Sequence, residues 1–324
     1  MMKKNIKYMN QMTVQVFALV FALVVLSSCN KYLDKKPDNL LTSDMVWQTR
    51  ANAEAYLNQI YSYVQTELEA DNYTRFGASD ETSCSFPGVN VRLMTTGNWN
   101  VQSNYWYNWG AYYAGIRQSI VFEQNIDRVP VTQLSSELKA QYKEEALFLR
   151  GWFYWSILKQ YGPFVKLDKL LSLTEDFNQY PRASFDTCIT VIDELMTRAA
   201  AGLPAKWNSS SDYGRPTKGA CLAVKAQVAL WAASPLWNGN TQFAGFKNED
   251  GTTLAPKTYN PEKWKAAASA AKAVIDLDAY KLFTNLDEGA GQFDPYLSYR
   301  DLFLTNWNDE IIFSTNVINS WYWG

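Results

Sequence analysis

Residues 135–163 read SSELKAQYKEEALFLRGWFYWSILKQYGP, and this stretch decides the fold. Ser135 or Ser136 supplies a side-chain oxygen for the unpaired N–H groups of a first helical turn. Gly162-Pro163 stops the helix after Tyr161. Between them, Leu138, Tyr142, Ala146, Leu149, Phe153 and Ile157 recur at the helical period. Phe148, Trp152 and Trp155 form a second stripe. A helix that is apolar on two faces is buried between neighbours, so this one is expected at the centre of a stack.

Working outward, the same logic finds its neighbours. Thr49 to Ala70 is amphipathic, with Ala53, Tyr56, Leu57, Ile60, Tyr61, Val64 and Leu68 on one stripe. Tyr105 to Asp127 is the next helix, closed off by Pro130. Ser184 caps a fourth, with Asp186 in its first turn, and Gly202-Leu203-Pro204 ends it. Thr217 opens a fifth that ends near Pro235 and packs closely through Ala220, Ala223, Ala226 and Ala229. Asn260-Pro261-Glu262 starts a sixth as cap followed by first-turn proline. Only Glu310 to Ser314 reads as a strand. The starts at Ser184 and Thr217 lie about one tetratricopeptide repeat apart, and Trp264 followed by spaced alanines suits such a unit. The expected architecture is mainly all-α: a tetratricopeptide-like scaffold of helix pairs. Two long irregular insertions, Asn72 to Asn104 and Leu236 to Asn260, interrupt it. Structured loops of that length are usually functional.

The N-terminus carries an address. Lys3, Lys4 and Lys7 precede an unbroken apolar run from Val16 to Leu26, which ends in Leu26-Ser27-Ser28-Cys29. This is the order of a secretory signal, and the run is too short for the ~20 apolar residues that span a bilayer. Leu-Ser-Ser-Cys also has the pattern of a lipobox. Residues 1–28 are therefore expected to be a lipoprotein signal peptide, with Cys29 acylated as the new N-terminus. More than one acyl chain is what holds such a protein firmly to a membrane. Of the four cysteines, Cys84, Cys188 and Cys221 then remain. That odd number argues against a disulfide framework.

Composition removes several functions. The chain has 324 residues with 30 basic and 32 acidic side chains, a net charge of −2. A nucleic-acid binder would need a basic face, so nucleic acid is not expected as a partner. Histidine is absent, which rules out a Ser-His-Asp triad or a His-ligated zinc site within this chain. Asp80 and Glu81 are adjacent and point apart, unlike the two carboxylates that flank a glycosidic bond.

With 13 Trp and 20 Tyr, the aromatic supply exceeds what a core usually takes, and binding surfaces are the natural place for the surplus. Sugars present C–H faces that a ring covers and hydroxyls that amides and guanidinium groups bond. Asn98-Trp99-Asn100, a Trp between amides on a loop, has that mixture, and Arg75 and Arg92 lie in the same insertion. Trp237 beside Asn238 and the Trp321-Tyr322 pair are further candidates. Trp99 has an equal alternative as a core plug beneath its loop, and Trp237, which follows a helix end, is expected to pack back on that helix ahead of serving a ligand. Trp106, Trp109, Tyr112, Tyr113, Trp152 and Trp155 sit at helical spacing and are expected in the core.

Several ordered blocks resemble the SusD/RagB family of nutrient-binding outer-membrane lipoproteins of Bacteroidetes. They are Cys29-Asn30-Lys31-Tyr32-Leu33-Asp34-Lys35-Lys36-Pro37, Glu145-Ala146-Leu147-Phe148-Leu149-Arg150-Gly151-Trp152 through Tyr161-Gly162-Pro163, and Gly214-Arg215-Pro216-Thr217. Ala233-Ser234-Pro235-Leu236-Trp237-Asn238-Gly239 and Asn260-Pro261-Glu262-Lys263-Trp264 follow. The resemblance covers residues 29–324 and implies a helical glycan-binding domain displayed on the cell surface. It implies a SusC-like TonB-dependent transporter as partner, a glycan as ligand, anchorage in the outer membrane through lipid, no cofactor and no catalysis. The family's usual chain is longer, so the sequence reads as an N-terminal fragment. Two other functions compete: a lipid-anchored glycoside hydrolase, and a peptide-binding tetratricopeptide adaptor.

Overall fold

The computed structural model describes residues 43–65, 75–80, 83–103, 105, 107–172, 174–286, 291–305 and 307–314. The chain divides into two compact units, Met1–Val46 and Trp47–Gly324. Of the first, only the helical turn α1 (Ser43–Val46) is described. The second holds helices α2 (Arg50–Tyr61), α3 (Asn90–Thr95), α4 (Trp109–Asn125), α5 (Ser136–Tyr161), α6 (Phe185–Gly202), α7 (Lys218–Ala233), α8 (Glu262–Asp276) and α9 (Pro295–Leu304). A two-residue ribbon, β1 (Asn285–Leu286) and β2 (Phe293–Asp294), pairs antiparallel with Asn285 opposite Asp294.

Local chemistry sets the helix starts. The hydroxyls of Thr49, Ser135, Ser184 and Thr217 each accept an N–H from three residues on, at 3.3, 3.3, 3.2 and 3.0 Å. Each satisfies one of the donors that a first turn leaves unpaired. The sixth predicted start is displaced by one residue: Pro261 is the capping position, and the Asn260 side chain accepts the Glu262 N–H at 3.0 Å.

Successive helices pack in series, α4 on α5, α5 on α6, α6 on α7 and α7 on α8, with α2 against α4 and α5. This is the all-α, tetratricopeptide-like stack expected from the sequence. Helix α5 sits in its middle. Phe148, Phe153, Tyr154, Ile157 and Leu158 are at most 1% exposed. Each such side chain contributes about 2–3 kcal/mol by leaving water. Trp155 is buried and donates its indole N–H to Gln227 at 3.2 Å. Trp152 is half-buried, stacked on Phe148. Cys188 and Cys221 are fully buried free thiols whose pKa values burial pushes up to about 12.

Charged side chains tie the stack together from inside. Glu145 in α5 is wholly buried. It accepts from Arg215 Nη1 through both oxygens, from Tyr61 at 2.7 Å and from Gln141 at 3.3 Å. Arg215 also lies over the Tyr142 ring, and Tyr142 donates to Glu54, which pairs with Arg50. One turn along α5 from Ala146, Arg150 reaches Glu123 at 2.5 Å and Ser119 at 3.1 Å, and Glu123 also takes Arg198 at 3.0 Å. Both arginines of the quoted sequence blocks are therefore fastenings between helices.

Three expectations need correction. The helix from Thr49 ends at Tyr61 rather than running to Ala70, and residues 66–74 lie outside the described set. The helix expected from Tyr105 begins at Trp109, because the preceding Asn108 N–H is taken by the Tyr161 hydroxyl at 2.8 Å. Glu310 to Ser314 is a run of turn and bend without strand pairing. A strand needs a partner ladder for its backbone groups. Here Glu310 instead accepts the Phe283 N–H through its side chain, and Phe313 packs edge-on against Phe148 and Trp152.

Candidate functional site

The first insertion builds a braced loop around one exposed indole. Helix α3 ends in a left-handed glycine: Gly97 has φ +73°. Its N–H bonds Met94 O at 3.0 Å, and the Asn98 N–H bonds Leu93 O at 2.8 Å. This pair of bonds is the Schellman closure, which needs a residue without a Cβ at that position. On the far side, Asn100 Oδ1 accepts the Gln102 N–H at 2.9 Å, the Asn100 N–H is accepted by Ser103 Oγ at 2.9 Å, and the Ser103 N–H returns to Asn100 O at 2.9 Å. The Tyr105 hydroxyl donates to Asn98 O at 3.2 Å. Trp99 stands between these two fixed points and is 58% exposed. A large ring held out by a stiff loop loses little entropy on meeting a ligand.

The other predicted residues separate into groups. Asn98, Asn100 and Arg92 are exposed within ten residues of Trp99, and Arg92 lies on α3 itself. Arg75 opens a short 3-10 turn (Arg75–Ala78) whose first side chains are outside the described set. Cys29, Trp321 and Tyr322 also lie outside the described residues. Asp80 is exposed, and Glu81 is outside the described set.

Trp237 is not a surface platform. It is 6% exposed, with Phe185 stacked at 4.3 Å and Phe243 at 5.1 Å. No face remains for a sugar ring. Its neighbours are clamps rather than ligand contacts. Asn238 is buried and bonds Asn260 twice, through Nδ2 to its O at 2.9 Å and through Oδ1 from its N–H at 2.8 Å. Gly239 has φ +78°, and a Cβ there would lie 2.5 Å from Tyr259 N. These contacts close the two ends of the second insertion on each other, and Trp237 on Phe185 seats it against α6.

Some exposed or half-exposed rings were not singled out from sequence. Phe86 and Tyr107 are 55% and 57% exposed. Trp109 and Tyr113, expected in the core, are half-buried and face a cleft of about 490 Å³ between α4 and the segment around residues 165–180. Their helical spacing is real, but the loop opposite α4 does not close over them. Tyr112, on the same helix, is in the core as expected, at 3% exposed. Trp106 lies outside the described set.

Among the described residues no group of three or more Cys, Asp or Glu is placed to hold a metal ion, and no helix is long and apolar enough to cross a membrane. What the Trp99 loop offers chemically is an exposed indole face with an exposed Asn on either side of it in the chain.

Comparison with known proteins agrees with this architecture. A SusD-like protein of Formosa agariphila, P38, is 23% identical over 300 residues, which is 91% of this chain and 49% of that one. The chain thus spans about half the length of the curated relative it matches. The solved structure of BT4246 superposes with a TM-score of 0.64 at 25% identity, covering 78% of this chain and 43% of the other. A SusD-like protein of Bacteroides fragilis, BF3747, gives 0.57 at 23% identity over 87% and 47% of the two chains. The family model described as SusD-like, "Starch-binding associating with outer membrane", matches residues 31–230. That match spans more than half of the sequence, and the chain belongs to the SusD-like family.

Proposed function

We propose that this chain is the glycan-binding part of a surface lipoprotein of the outer membrane, which passes oligo- or polysaccharide to a SusC-like TonB-dependent transporter and does not itself cut it. The observation that carries the reading is Trp99, 58% exposed on a loop braced at both ends. Asn98 and Asn100 adjoin it in the chain and Arg92 is exposed on the helix before it, a set of hydrogen-bonding groups for a sugar. An indole covers the C–H face of a pyranose, and amides and a guanidinium bond its hydroxyls. The family description as starch-binding supports the ligand class. The basic start, apolar run and Cys29 of the sequence support the anchor.

Native gels containing soluble amylopectin, or other polysaccharides from a panel, test the reading. Retardation of the wild type that is lost in Trp99→Ala supports it. Equal mobility of both proteins in every polysaccharide refutes it. A reducing-end assay on the same mixtures tests the non-catalytic part, which sustained release of new ends would overturn. Membrane fractionation of Cys29→Ala tests the anchor: the variant is expected in the soluble fraction.

A further inference from the structure

We propose that the cleft between α4 and residues 165–172 and 177–180 is a second ligand site, which takes a small amphipathic anion: an apolar chain or ring system with one carboxylate at its end. Its volume of about 490 Å³ falls in the range of small-molecule sites, roughly 300–1,000 Å³. Trp109, Tyr113 and Ile120 line it from α4, and Val165, Leu167 and Leu171 from the opposite segment. These walls suit an apolar body. A neutral sugar would press its hydroxyls against them without partners, at a cost of about 1–3 kcal/mol each.

The charged groups favour an anion. Arg117 and Lys169 line the cleft, and among the described lining residues there is no carboxylate. Arg117 gives Nη1 to Leu171 O at 2.8 Å and forms no ion pair among the described residues. A guanidinium has five N–H donors, so most of its capacity is left for a ligand. Lys169 lies at the mouth, its side chain 67% exposed, with Glu175 4.0 Å away. The Glu175 side chain is 23% exposed and is held by the Tyr180 hydroxyl at 2.6 Å, and its pair with Lys169 at that distance is weak. Tyr113 offers its ring only, because its hydroxyl both donates to Val165 O and accepts the Val165 N–H, each at 2.9 Å. Phe177, 60% exposed, also lines the cleft. The site shares no residue with the Trp99 loop and does not rest on the glycan reading.

Isothermal titration of the full chain with decanoate, below its micellar range, and with its neutral twin decanamide tests the proposal. The expected result is one decanoate per chain. Filling the cleft with Ala114→Trp, or from the opposite wall with Leu170→Trp, should weaken binding roughly tenfold or more. Arg117→Gln should weaken decanoate roughly tenfold more than it weakens decanamide. Absence of heat with wild-type protein overturns the proposal. So does binding that survives in both filling variants, which would place the ligand elsewhere, and so does an equal loss of decanoate and decanamide in Arg117→Gln.

Discussion

Arg215 Nη1 donates to both carboxylate oxygens of Glu145, at 3.1 and 3.0 Å, across 70 residues of chain. Glu145 is wholly buried and Arg215 is a quarter exposed. Burial pushes the Glu145 carboxyl above its ordinary range, and Arg215, Tyr61 and Gln141 only partly counter it. Removing the arginine alone therefore strands a charge that already resists ionisation. Arg215→Ala should cost about 3–5 kcal/mol. Glu145→Gln removes the buried charge itself and should cost less. Urea unfolding of both variants checks the order, and a Glu145→Gln midpoint lower than that of Arg215→Ala would contradict it.

Glu123 behaves in the opposite sense. Burial pushes its carboxyl up, but Arg150 and then Arg198 more than offset this and hold it below the usual carboxylate range. A depressed folded-state pKa contributes stability above the unfolded value, which is about 4.3, and that contribution is lost as pH falls through the folded value. Glu123→Gln should thus be destabilised at neutral pH by about 1–3 kcal/mol, since Arg150 is largely buried. The gap to wild type should close as the pH drops below about 4. Thermal midpoints measured at both ends of that window decide the matter. A gap that stays constant with pH would show that packing, not charge, sets the loss.

Trp237→Ala separates core from surface. The indole fills space between Phe185 and Phe243, and its ring edge lies 3.2 Å from where a Cβ on Gly162 would sit. Truncation should cost about 3–5 kcal/mol. Glycan retention of the folded protein should not change. The reverse pattern, full stability with lost retention, would restore Trp237 to the binding surface.

Trp99 and Trp237 also show where sequence reasoning reaches and where it stops. Both are Trp residues followed by Asn near a helix end, so their local contexts are alike. Their fates differ because Phe185, well back in the chain on α6, stacks on Trp237, and Phe243 of its own insertion folds over it. Helix starts were legible because a cap acts within three residues: Ser135, Ser184 and Thr217 each bond their own first turn. The Glu145–Arg215 fastening was not, although both residues stood in the blocks that carried the family resemblance. Nothing local ties the middle of one helix to the turn before another. The cleft was missed for the same reason. Trp109 and Tyr113 keep the spacing of a buried stripe, and among the described residues, 165–172 and 177–180 line a cleft in front of them.

The brace behind Trp99 gives the last prediction. If the loop works by holding the ring still, its rigidity matters apart from the ring. Gly97 adopts φ +73°, where a side chain is strained, though a Cβ there would meet no atom within 4 Å. Gly97→Ala should therefore cost only about 1 kcal/mol of stability, all of it conformational. It should still weaken glycan binding several-fold, because the strained closure opens more often and Trp99 must then be ordered on binding. Trp99→Ala should do the converse. Being exposed, the ring can go with about 0.5 kcal/mol or less of stability lost. Binding should fall roughly tenfold or more with the stacking face. Calorimetric binding and thermal unfolding on the two variants together give four numbers. Binding that is indifferent to Gly97→Ala would mean the loop orders itself on the ligand, and that the Schellman closure serves the helix alone.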